Sequence, residues 1–132
     1  IKRFGVSMEE EILKEFDRII EKIGYKTRSE AIKDLVRKKI LEEKVKEGKG
    51  EVIGILGIVY NHIVREVEDK LTSLEHKNYK KILSTSHIHL DKENCLEVKV
   101  LKGKIKEIKR ISEKIISTRG VKYGEIIFLK VK

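Results

Sequence analysis

His87-Ile88-His89-Leu90-Asp91-Lys92-Glu93-Asn94-Cys95 reads as the end of one strand, a reversal, and the start of the next. On a β-strand the side chains at i and i+2 leave the same face, about 6.5–7 Å apart along the strand. His87 and His89 can therefore reach one small cation together, while Ile88 and Leu90 turn the other way into a core. Asp91, Lys92, Glu93 and Asn94 suit the turn. The returning strand brings Cys95, the single cysteine of the chain, beside the two imidazoles. Two imidazoles and a thiolate make a donor set for a late first-row transition metal. The plainer alternatives are a His-x-His on an ordinary exposed strand and a cysteine serving as a small buried hydrophobe. His76 is a fourth candidate donor. It lies near the end of a predicted helix, so a neighbouring subunit is the natural source of that ligand.

The hairpin sets the phase for the elements around it. Upstream, the mostly apolar residues 52–60, broken by Gly54 and Gly57, predict a strand. A helix follows over residues 62–76, with Ile63, Val67, Leu71 and Leu74 inward, and a strand over residues 80–90. Downstream come a strand over residues 96–101, with Cys95 at its head, a helix over residues 104–118 and a strand over residues 124–131. That helix carries Ile105, Ile108, Ile111, Ile115 and Ile116 on one face. The order βαββαβ is that of a ferredoxin-like sandwich.

The first fifty residues follow a different plan. Residues 1–8 alternate, Phe4, Val6 and Met8 against Arg3, Gly5 and Ser7, as a short strand does. No hairpin partner lies nearby, so this strand must pair with another chain or a distant segment. A helix over residues 9–23 has Ile12, Leu13, Phe16, Ile19, Ile20 and Ile23 on one face, an acidic first turn, and Gly24 as its stop. Ser7 with Glu10, and Thr27 with Glu30, have capping-box spacing. The second helix carries Ala31, Ile32, Leu35, Val36, Ile40 and Leu41 as its apolar stripe. Two such faces in so short a segment cannot be buried within one chain, and dimerisation is the physical answer. The charged, glycine-bearing residues 42–51 mark a helix tail and linker, dividing the chain into residues 1–47, 48–51 and 52–132.

Composition narrows the function classes. The 132-residue chain has a formal net charge of +9, which suits an anionic partner. Residues 1–50 hold 14 basic and 11 acidic side chains and residues 51–132 hold 17 and 11, so bulk charge does not locate that partner. One cysteine excludes an internal disulfide framework and fits a cytoplasmic protein. No apolar run approaches a membrane span, and no signal peptide is visible. A start at Ile1 implies that one or more native residues precede it. The absence of proline, with abundant Ile, Lys and Glu, is similar to thermophile composition. No oxyanion hole or substrate pocket accompanies Cys95, so a Cys-His hydrolase finds no support and the chain reads as a non-enzyme.

Residues 1–46, with Gly24-Tyr25-Lys26-Thr27-Arg28-Ser29-Glu30-Ala31-Ile32 as turn and helix start, resemble the ribbon-helix-helix family of DNA-binding dimers. The resemblance implies a two-stranded ribbon in the major groove, with Arg3, Gly5 and Ser7 towards the bases and Thr27, Arg28 and Ser29 at a backbone phosphate. Gly5 departs from the pattern by offering no side chain. The second half resembles an ACT-like domain. The two together, with His87-Ile88-His89, Asn94-Cys95-Leu96-Glu97 and Val100-Leu101-Lys102-Gly103, resemble the nickel-responsive transcriptional regulators (NikR) over the whole chain.

That resemblance implies an α+β repressor of nickel-uptake genes, acting as a homotetramer, a dimer of dimers, on an inverted repeat. It implies square-planar Ni(II) held by His87, His89, Cys95 and a neighbouring subunit's His76, with Tyr60, His62 and Glu97 behind the site or as alternative ligands. It also implies a potassium-like cation at Glu30 and Asp34 with carbonyls of Ile116, Thr118 and Val121; capping by Glu30 and pairing of Asp34 with Lys38 are the plainer roles. Affinity order alone favours copper over nickel. An amino-acid-responsive regulator, with Gly54 and Gly57 lining a pocket, is the other alternative.

Overall fold

The computed structural model describes residues 1–131, and the chain separates into two compact units, Ile1–Ile40 and Leu41–Lys132. In the first unit, α1 (Glu10–Ile23) starts after Glu9, whose backbone is extended and which caps with no side-chain bond; Glu10 and Glu11 supply the favourable charge of its first turn. The Ser7–Glu10 capping box is therefore not formed. Gly24 closes the helix in the left-handed region at φ 106°, its N–H donating to the carbonyls of Ile20 and Glu21, and Tyr25 N–H donates to Ile20 at 2.9 Å. Thr27 caps α2 (Arg28–Glu47): its Oγ1 accepts the Glu30 N–H at 3.1 Å. Residues 1–9 hold no strand in the single chain. A ribbon strand acquires its ladder only from a partner, and none lies within reach in one copy. Phe4, Val6, Met8, Ile12, Ile19, Ile23, Leu35, Val36 and Ile40 are all exposed, and only Ile20 and Ala31 are buried. So large an exposed apolar surface marks an interaction site.

The second unit is built on a four-stranded antiparallel sheet, ordered β2-β3-β1-β4. Its elements are β1 (Glu51–Asn61), α3 (Val67–Lys77), β2 (Ile82–His89), β3 (Asn94–Lys104), α4 (Ile105–Ile116) and β4 (Val121–Leu129). This is the ferredoxin-like order, with the core on one face of the sheet. Leu56, Ile58 and Tyr60 of β1 and Cys95 and Leu101 of β3 meet Val67 and Leu71 of α3 and Ile108, Ile111 and Ile115 of α4. Gly54 lets α4 approach: a Cβ there would stand 2.9 Å from Ile108 Cγ2. Gly57 lies on the opposite face, so the two glycines do not line a common pocket.

Two further expectations need correction. Residues 62–66 are turn rather than helix, and α3 begins only at Val67, after Glu66 at φ 68°. Asn61 Oδ1 accepts the Ile63 N–H and the Glu93 carbonyl accepts the His62 N–H, which commits these amides before a helix can form. Ile88 and Leu90 are exposed rather than in a core. Neither α3 nor α4 covers the sheet face that bears Ile88. There Ile53, Ile55, Val59, Leu96, Val98 and Val100 are half-buried, and Tyr123, Ile127 and Leu129 are exposed.

Candidate metal centre

The register of the β2–β3 hairpin places His89 opposite Cys95 and His87 opposite Glu97, while Tyr60 of β1 lies across from Cys95 on its other side. One row of the sheet thus runs Tyr60, Cys95, His89 on the helix-bearing face. The turn between the strands is tied by Asp91, whose Oδ1 accepts the N–H groups of Glu93 at 2.8 Å and Asn94 at 2.7 Å. The Asn94 amide and these two backbone donors hold the Asp91 carboxyl below the usual carboxylate range.

His87, His89 and Cys95 bring one donor atom each to within 4.8 Å of one another. Cys95 Sγ lies 3.5 Å from His89 Nδ1, and the two imidazole centroids are 5.0 Å apart. Cys95 is fully buried while both histidines are exposed, so the site is floored by sulfur and open at its rim. His87 turns Nδ1 inward, 3.2 Å from Glu97 Oε2 and 3.4 Å from the Tyr60 hydroxyl. An ionised carboxylate only accepts, so a proton on His87 Nδ1 satisfies Glu97 and leaves Nε2 as the nitrogen available to a metal.

Glu97 itself is nearly buried. Burial pushes its carboxyl up, but the hydrogen bond and charge of Lys99, with donors from Tyr60 and His87, outweigh this and hold it below the usual range. Burial, then the Glu97 carboxylate, raises the Tyr60 phenol, which stays protonated. Lys99 Nζ is 2.9 Å from Glu97 Oε1, 3.6 Å from Glu75 Oε1 and 3.4 Å from Thr85 Oγ1, and the Thr85 hydroxyl donates to Glu75. Lys99, Glu75 and Thr85 were not among the residues singled out from sequence. Position 99 shares the parity of Cys95 and Glu97, and that was the available signal.

The remaining candidates lie elsewhere. His76 is exposed in the last turn of α3 and outside the group of three. The His62 ring contacts the Lys92 carbonyl in the hairpin turn. Arg3, Gly5 and Ser7 are exposed. The Arg28 guanidinium forks onto Asp17 at 2.8 and 2.7 Å, so a phosphate there must compete with that carboxylate. Asp34 accepts from the Tyr25 hydroxyl and pairs with Lys38 at 3.2 Å. Thr118 Oγ1 donates to the Lys114 carbonyl, and the Thr118 carbonyl accepts the Val121 N–H.

Nickel fits this site on donor chemistry. A thiolate and two imidazoles are too soft for magnesium or calcium, and a planar N/S set suits Ni(II) or Cu(II). His87 already has the outer carboxylate that orients metal-binding imidazoles.

Known proteins agree. Residues 53–129 match the NikR C-terminal nickel-binding domain, and residues 2–43 match ribbon-helix-helix proteins of the CopG family. A protein of Caldanaerobacter subterraneus named as a nickel-responsive regulator is 54% identical over 127 residues, covering 96% of this chain and 82% of its own. Another so named, from Thermococcus onnurineus, is 50% identical, covering 96% of this chain and 92% of its own. The solved structure of an uncharacterised protein from Thermotoga maritima superposes on 61% of this chain and all of its own, with a TM-score of 0.55 and 23% identity; it speaks for the fold alone. Among the described residues no helix is long and apolar enough to cross a membrane. The chain belongs to the nickel-responsive transcriptional regulators, joining a ribbon-helix-helix DNA-binding segment to a NikR-type nickel-binding domain.

Proposed function

We propose that this chain is a cytoplasmic repressor of nickel-uptake genes whose operator affinity is set by Ni(II) at His87, His89 and Cys95, with His76 of a neighbouring copy as fourth ligand. The observation that carries the reading is the convergence of three N/S donors within 4.8 Å at a rim left open to a partner. Residues 1–47 serve DNA, 48–51 link, and 52–132 serve nickel and assembly. Exposed apolar helices pair two copies through the first segment, and the uncovered sheet face, with Ile127 and Leu129, pairs the second into a dimer of dimers. Arg3, Gly5 and Ser7 of the paired ribbon then face bases, and Thr27, Arg28 and Ser29 hold phosphate.

Bound nickel would supply one thing, a link between subunits through ligands from both. The chain's own residues do the rest. His87, fixed by Glu97, and His89, across from Cys95, need no rearrangement of the hairpin, while His76 brings the end of α3 to another copy. The same reading gives Glu30 and Asp34, with carbonyls of Ile116, Thr118 and Val121, a potassium-like cation, testable as potassium dependence of operator affinity.

Fluorescence anisotropy with an inverted-repeat operator tests the coupling. One equivalent of Ni(II) per chain should tighten binding by roughly 10–100-fold, and operator DNA should tighten nickel by the same factor. Equal DNA affinity with and without nickel would refute the reading.

A further inference from the structure

Lys99 is 1% exposed, and its ammonium sits between two carboxylates and a hydroxyl on the helix-bearing face of the sheet. Its neighbours across the strands are Leu56 on β1 and Thr85 on β2, so an apolar side chain would satisfy the packing. A buried charge pair is a poor source of stability, since desolvation takes back most of the attraction. What the ammonium does uniquely is join two places. Glu97 is the carboxylate that turns His87, and Glu75 is adjacent in sequence to His76 in the last turn of α3.

We propose that Lys99 is a positioning residue of the metal centre, clamping Glu97 behind His87 and fastening to the same strands the end of α3 that carries His76. The inference rests on the metal reading above. Each chain gives three donors to one centre and His76 to another, so one ammonium braces its contribution to both. Without Lys99, the Glu97 carboxylate loses the partner at its Oε1 and Glu75 loses its tie to β3. The carboxylate that holds His87 Nδ1 is then no longer braced from behind.

Lys99→Met in the full-length chain tests this with two readouts. In metal-free protein, nitrogen-15 NMR of labelled histidine side chains should show His87 as the Nδ1–H tautomer in the wild type and a mixture in K99M. Nickel affinity, followed by absorption, should fall roughly 10–100-fold, with the thiolate band still reached at saturation. An unchanged tautomer and an affinity within twofold of wild type would overturn the proposal. Should K99M fail to fold, Glu75→Gln, at a more open position, carries the test. It should weaken nickel binding measurably and speed amide exchange at Glu75 to Lys77; no change in either would equally overturn it. A wild-type chain that takes up no nickel would refute the metal reading instead, and the tautomer arm, read without metal, would still decide the role of Lys99.

Discussion

Cys95→Ala is expected to abolish sulfur-to-nickel charge-transfer absorption and to leave operator affinity indifferent to nickel. Among the described residues Cys95 is the only thiol, and its Sγ is the buried member of the group of three. Removing a residue that merely orients a ligand costs metal affinity roughly 10–100-fold; losing the thiolate itself should exceed that range. The fold should survive. Cysteine here packs as a small hydrophobe, and truncating one sulfur costs on the order of 1 kcal/mol, against a typical stability of about 5–15 kcal/mol. Circular dichroism checks the fold, and calorimetry with anisotropy checks the loss. A Cys95→Ala protein that binds operator with wild-type, nickel-dependent affinity would contradict the assignment.

Gly120→Val is expected to destabilise the nickel-binding domain strongly. Gly120 turns the chain from α4 into β4 at φ 104°, a conformation that L side chains rarely adopt, and its carbonyl accepts the Asn61 N–H at 2.9 Å. A Cβ there would stand 2.7 Å from Val67 Cγ2, 2.9 Å from Val67 Cβ and 3.2 Å from Val64 Cβ. Val67 is buried at the start of α3, so relief requires the helix to move rather than a side chain to rotate. Backbone strain of about 1–3 kcal/mol adds to overpacking of about 1–3 kcal/mol. At about 4–8 °C per kcal/mol for a domain of this size, thermal denaturation should shift down by roughly 8 °C or more. A melt within 2 °C of wild type, on the order of 0.5 kcal/mol or less by the same conversion, would show that this turn is not packed as described.

The hairpin was legible because its signals are local. An i, i+2 spacing, four turn-formers and a returning cysteine determine which side chains meet without reference to anything distant. Helix stops at Gly24 and the Thr27 cap were legible for the same reason. The sense of the sheet's faces was not. In β3 the alternation of Glu97 and Lys99 with Leu96, Val98 and Val100 ordinarily places the polar pair towards water. Here it is reversed: Glu97 and Lys99 are buried beneath the helices, while the apolar set faces the uncovered side. Two physical facts outside any local window produce this. Both helices cover one face only, and the buried charges find partners on β2 and α3, far away in sequence. The same reversal explains why Ile88 is exposed in the single chain. The alternating residues 1–8 are a parallel case: they form no strand in the single chain, which offers them no ladder partner. The late start of α3 followed from the Asn61 side chain and the Glu93 carbonyl, contacts that amphipathic spacing does not reveal.

The most direct test is titration of the metal-free protein with Ni(II), followed by absorption. A sulfur-to-nickel charge-transfer band that rises to saturation at one equivalent per chain, with square-planar d–d features, is the result that nickel held by His87, His89, Cys95 and a second copy's His76 predicts. A flat titration would contradict it, and would leave the three residues as structural parts of a hairpin in a DNA-binding protein that answers to something else.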